Sequence, residues 1–157
     1  MSEEVPGSQQ NDPYLEPPRD QIPGLSKMHV QLLESSGDEK MWVAAGMRHV
    51  VLRTVGRRTG NEHKVALPYW RDGDGHRVVV ASFAGAPSHP SWFRNLSDRA
   101  ANPEVHVRAY EGAYWSVPEI LDGDEYASIW AQLVADRPFY ANYQTRTDRR
   151  IPLVRLP

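Results

Sequence analysis

Three short stretches hold side chains able to take up an anion or a flat ring: Gly56-Arg57-Arg58-Thr59-Gly60, residues 81–92 (ASFAGAPSHPSW) and residues 139–144 (FYANYQ). In the first, two guanidinium forks stand beside backbone N–H groups in a turn. That combination suits phosphate or carboxylate through bidentate, charge-assisted bonds, although a solvated hairpin turn would carry the same residues. In the second, small residues after a buried strand (Ala81, Ser82, Ala84, Gly85) let a ligand approach the main chain. Ser91 and Trp92 then open a helix whose first amides favour negative charge. In the third, Tyr140 and Tyr143 share a face if the segment is helical. There they could cover a planar ring and offer hydroxyls to a substrate, or simply pack into the core with a polar tip.

Other chemistries find little support. Most Asp and Glu fall in turns, near the N-terminus or at the start of a helix, so no catalytic acid pair stands out. None of the six His is spaced i,i+4 or as H-x-H on an expected element, which argues against a metal site. No G-x-S-x-G elbow occurs. With no cysteine in the chain, disulfides, thiolate nucleophiles and iron–sulfur ligation are excluded.

The elements that must position these residues read as an antiparallel barrel with helices outside it. Residues 1–25 form an acidic, Pro-rich stretch (Pro6, Pro13, Pro17, Pro18, Pro23) and are expected to be a flexible arm. Residues 26–157 make one domain. A helix is predicted over 26–36, capped by Ser26 and ended by Gly37. Strands follow at 47–55, 63–70 and 76–84, with GRRTG and the Asp-Gly turn at 71–75 between them. A short helix begins at Ser91, which would cap it. After the Asn102-Pro103 turn come strands at 104–109 and 113–121, the second demoted by Pro118. Residues 122–136 are the best helix, with acids in its first turn, and 151–156 a last strand. Six or so strands with helices between them indicate an α+β, mainly β architecture.

Net charge is −2 and the isoelectric point near 6.3. Residues 1–25 carry −4 of this, leaving about +2 on the remainder. A mildly basic domain suits a small anionic ligand better than a polyanion. The five Trp and seven Tyr are not interleaved with a basic stripe, so nucleic acid is not an expected partner. No apolar run reaches about 18 residues, and the N-terminus lacks the features of a signal peptide. The expected compartment is the cytoplasm, with contact at a membrane surface left open and stable insertion not expected.

Taken in this order, LRTVGRRTG, VVVASFAGAPSHPSWFRNL with NPEVHV after it, and FYANYQTRTDRRIPLVRLP resemble the deazaflavin-dependent nitroreductase family, the A-type F420-dependent split-barrel oxidoreductases. The resemblance implies a split β-barrel, FMN-binding-like, of antiparallel strands with peripheral helices, and coenzyme F420 as cofactor. By position, Arg57, Arg58, Thr59 and Gly60 match the turn that holds the cofactor's phosphate and anionic tail. Ala81, Ser82, Phe83 and Gly85 match the strand end beside the deazaflavin ring, and Ser91 and Trp92 the helix start. Tyr140 and Tyr143 match tyrosines near the substrate. Phe83 stands where the prototype has Lys, while Pro68 and Arg137 stand where it has pocket tyrosines. The implied reaction is hydride transfer from reduced F420 to a quinone, nitro compound or activated alkene, with Tyr143, Tyr140 and Ser82 as catalytic candidates. The alternatives are an FMN enzyme on the same barrel or a non-catalytic F420-binding protein. The resemblance leans towards a monomer.

Overall fold

The structure, a computed structural model, describes residues 19–157; most of the expected arm lies outside them. Its elements in chain order are α1 (Ile22–Ser35), β1 (Val43–Ala44), β2 (Met47–Val55), β3 (Glu62–Arg71), β4 (Arg77–Val80), α2 (Ser91–Ser97), β5 (Val105–Ala109), β6 (Gly112–Ser116), β7 (Glu119–Ile120), α3 (Gly123–Asp136), α4 (Phe139–Gln144) and β8 (Leu153–Leu156).

The strands run β6-β5-β2-β3-β4-β8-β7, all antiparallel, with β1 beside β2. β2 is central because its β-branched run buries both faces: Val50, Val51 and Leu52 are at most 2% exposed. The path's two ends, β6 and β7, are consecutive in the chain. Pro118 separates them, and having no N–H it interrupts the ladder, so a single expected strand becomes two that pair at opposite ends of the path. Tyr114 on β6 donates from its hydroxyl to the carbonyl of Leu156 on β8 at 2.9 Å. The sheet thus curls into a split barrel.

A second proline works in the same way. β3 pairs with β2 as far as Pro68, opposite His49, and then with β4 from Tyr69 onwards. The residue without a donor sits where the strand changes neighbours.

Three apolar clusters fill the fold. One inside the barrel joins Val50, Leu52, Val79 and Val107 to Trp92, Phe93 and Leu96 of α2. A second packs α3 and α4 on β4 and β8 through Ile129, Leu133 and Tyr140. The third seats Val30 and Leu33 of α1 beside Trp42 and Val51.

Two expected caps are corrected. α1 begins at Ile22, four residues before the expected start, and Ser26 instead accepts a bond from the backbone N–H of Ala66 on β3 at 3.2 Å. Pro90 precedes α2 in extended geometry, and Ser91 is the helix's first residue. β4 also stops at Val80 rather than reaching Ala84, because the next residues leave extended geometry altogether.

Candidate functional site

The chain after β4 turns through three consecutive residues of positive φ: Phe83 (45°), Ala84 (52°) and Gly85 (75°). Glycine adopts this region freely, but each L-residue pays about 1–2 kcal/mol, so the loop must be held from outside. Arg149 holds it. Its Nη1 donates to the carbonyl of Ala81 at 3.1 Å, Nη2 to Ser82 at 2.8 Å and Nε to Ala86 at 2.8 Å. Nη1 also lies 3.0 Å from Nδ1 of His89. A guanidinium has only donors, so Nδ1 must accept and the imidazole proton sits on Nε2. Burial, then the charges of Arg149 and Arg94, lower the pKa of His89 and favour that neutral ring. Ala84 accepts from Arg146 Nη1 at 3.4 Å.

Gly85 brings α4 against this loop. A Cβ there would lie 2.6 Å from the carbonyl oxygen of Tyr143 and 2.9 Å from Cβ of Arg146. Tyr143 is half-buried, with the Arg146 guanidinium 5.2 Å over its ring. Tyr140 is buried behind it at 3% exposure, the two ring centroids 6.2 Å apart.

The Arg turn is tied in through α2. Arg57 donates to Oδ1 of buried Asn95 from both its backbone N–H (3.3 Å) and Nη1 (2.7 Å). Asn102 fixes the same junction: its Nδ2 donates to the carbonyls of Val55 and Asn95, both at 2.8 Å, and its Oδ1 accepts from Val55 N–H at 2.7 Å. Thr59 spends its hydroxyl on the turn, accepting from the Asn61 N–H at 3.1 Å. Arg58, Thr59 and Gly60 are exposed, as is Ser91. Trp92 is 9% exposed and stands edge-on to Phe93, so its indole belongs to the core.

The Arg turn, α2, the 81–86 loop and α4 therefore form one continuous strip, with each piece bonded to or packed on the next. Pro68 lies on β3, opposite His49 of β2. Sequence reasoning gives no role to Asn95, Asn102 or Arg149, although all three fall inside the quoted stretches. The available signal is an Asn or Arg beside a turn, where such side chains commonly bond the main chain.

Among the described residues, Asp72, Asp74 and His76 are the group with metal-ligand spacing. Asp72 is already engaged there: it accepts from the N–H groups of Asp74 and His76 and from Nε of Arg155. No described helix is long and apolar enough to cross a membrane.

The family profile of F420H(2)-dependent quinone reductases matches residues 25–156. The chain belongs to this family. An F420H(2)-dependent quinone reductase of Mycobacterium tuberculosis (strain H37Rv) is 36% identical over 109 residues, covering 67% of this chain and 70% of that protein. The solved structure of an F420-H2 dependent reductase, FDR-A, matches with a TM-score of 0.58 at 34% identity, over 69% of this chain and 93% of that one. Another, described as a domain-swapped dimer, matches with a TM-score of 0.61 at 32% identity, over 83% and 95% of the two chains.

The residues of the strip fit the cofactor that the family's name implies. F420 joins a flat deazaflavin to a phosphate and a carboxylate tail. Arg57, Arg58 and Arg94 are cations with no carboxylate partner among the described residues. Apart from Phe83, the loop carries only small residues, Ala81, Ala84, Gly85 and Ala86, around the half-buried Ser82.

Proposed function

We propose that this chain reduces a quinone-type acceptor with F420H2, and that nitro compounds and activated alkenes are acceptors by the same chemistry. The observation that carries this reading is the continuity of the strip: Arg57–Asn95 joins the cationic turn to α2, and Gly85–Tyr143 joins the strained loop to the aromatic helix. Arg57 and Arg58 hold the phosphate and anionic tail, with the Thr59-Gly60 backbone and the start of α2 at Ser91 beside them. Ala81, Ser82, Phe83 and Gly85 form the floor for the ring, and Pro68 and Trp92 back its walls.

Bound reduced F420 supplies the hydride, so the protein contributes position, electrostatics and a proton. Ser82 orients the ring or the acceptor. Tyr143 offers its hydroxyl to the acceptor oxygen and hands over the proton that completes reduction of a carbonyl to a hydroxyl. Tyr140, packed behind, sets the position of Tyr143.

The test is a fluorescence titration with F420 and separately with FMN, in the wild-type chain and in Arg57→Gln and Arg58→Gln variants. Selective F420 binding weakened about tenfold or more by either change supports the reading. Preference for FMN would replace the cofactor assignment. Tight F420 binding without turnover of quinone, nitro or alkene acceptors would make the chain a carrier rather than a reductase. We propose a monomer as the working unit; sedimentation of a dimer would align it with the domain-swapped relative.

A further inference from the structure

Arg137 ends α3. Its backbone leaves helical geometry there (φ −130°, ψ 77°), and its side chain is only 4% exposed. Both Nε and Nη1 are fully buried without a hydrogen-bond partner among the described residues. Its neighbour Asp136 is no counter-ion: it is exposed and accepts from Trp70 Nε1 at 3.1 Å. A buried charge without a partner stays costly even after relaxation. An arginine cannot escape that cost by losing its proton. This guanidinium therefore calls for an acceptor that the described residues do not supply.

The surroundings indicate its chemistry. Burial, then the charge of His29, lower the pKa of His49 on β2, and the charge of Arg137 adds a smaller contribution. His49 is 7% exposed, and its Nδ1 lies 2.9 Å from the carbonyl of Met47. That oxygen can only accept, so the proton sits on Nδ1. His29 of α1 stands 4.9 Å from His49, ring centroid to centroid. The residue across the ladder from His49 is Pro68, and Trp70, Phe139 and Tyr143 pack together on the α3–α4 cluster. The Tyr140 N–H donates to the Arg137 carbonyl at 3.2 Å, which puts Arg137 at the head of α4. The Phe139, Tyr140 and Tyr143 ring centroids of that helix lie 4.1–6.2 Å apart. Two unmatched guanidinium donors there suit an anionic oxygen attached to a flat ring. A neutral carbonyl would fill a donor but leave the charge uncompensated.

We infer that Arg137 is a specificity-determining residue of the acceptor pocket, holding a carboxylate carried by a planar aromatic acceptor. This rests on the reading of α4 as the acceptor side of the site and narrows the acceptor to an anionic class.

Calorimetric titration of the 157-residue chain with 2-naphthoate and with 2-naphthamide, without F420, tests it independently of turnover. The carboxylate is expected to bind at least about tenfold more tightly, in line with a charge-assisted bond. Arg137→Gln should bring it down to the amide's level, and Arg137→Lys should keep part of the preference. In a steady-state assay with a neutral naphthoquinone, naphthoate should raise KM without changing kcat, and it should not displace F420 in the fluorescence titration. Equal affinity for the two probes, no binding of either, a preference that survives in Arg137→Gln, or displacement of F420 would each overturn the assignment. If Arg137→Gln does not fold, the wild-type preference together with the competition pattern decides it. Failure of F420 binding alone would strike the proposed function and leave the calorimetric result standing.

Discussion

The backbone of Gly85 lies against the carbonyl of Tyr143, so closely that a Cβ at position 85 would stand 2.6 Å from that oxygen. Two of the three candidate stretches meet at this contact. Gly85→Ala would combine a positive-φ penalty of about 1–2 kcal/mol with a clash against main chain that cannot rotate away. The melting temperature should fall by roughly 4 °C or more for a chain of this size, and F420 affinity should fall with it. An unchanged melting curve would show that α4 does not constrain the loop.

Asn102 joins the end of β2 to the end of α2 with three bonds to the main chain. Asn102→Ala leaves those buried groups unmet and should cost roughly 2–4 kcal/mol, read by chemical denaturation. Asn102→Asp keeps the bond from Val55 N–H but sets a carboxylate oxygen against the Val55 and Asn95 carbonyls in a buried site, so it should destabilise at least as much.

Arg149→Lys isolates the clamp. A lysine keeps the charge but cannot span the carbonyls of Ala81, Ser82 and Ala86 with a planar fork. F420 binding should weaken about tenfold, a loss of about 1.4 kcal/mol, in a protein whose circular dichroism is unchanged. Full retention of affinity would mean that the loop holds its shape unaided.

Tyr143→Phe removes one hydroxyl from the proposed acceptor side. If it serves the acceptor, kcat should drop by roughly 10- to 100-fold while the F420 dissociation constant stays put. Equal turnover in the variant would remove Tyr143 from the chemistry.

Burial, then the charge of His29 and that of Arg137, depress the pKa of His49 to about 4 from the usual 6.5, against the opposing bond to Met47. Between those values the unfolded chain binds the proton more readily, so stability falls as pH falls. About 3 kcal/mol should be present in full above pH ~6.5 and lost by pH ~4. Denaturation midpoints across that window should flatten in His49→Gln. A slope that persists in the variant would assign it to other groups.

Much of the barrel could be read from the pattern of residues. The Val-Val-Leu run of β2, the Asp-Gly turn and Pro118 each gave a local signal strong enough to survive folding. What could not be read depends on contacts distant in sequence. Ser26 looks like a helix cap until Ala66, 40 positions later, takes its hydroxyl. β4 looks longer than it is because Phe83 and Ala84 carry no sign of positive φ; the cause lies in Arg149. Likewise the resemblance sets Arg137 at the position of a pocket tyrosine, but only the packed structure reveals how deeply it is buried.

Within the 81–86 loop, Arg149 grips carbonyl oxygens and not side chains. The shape of the 81–86 loop is therefore separable from the identities of Ser82 and Phe83, whose side chains take no part in the clamp's bonds. On the proposed reading of the site, substitutions at those two positions alter what meets the ring while the path of the chain is kept. A lineage could explore new acceptors there without having to reinvent the seat of its cofactor.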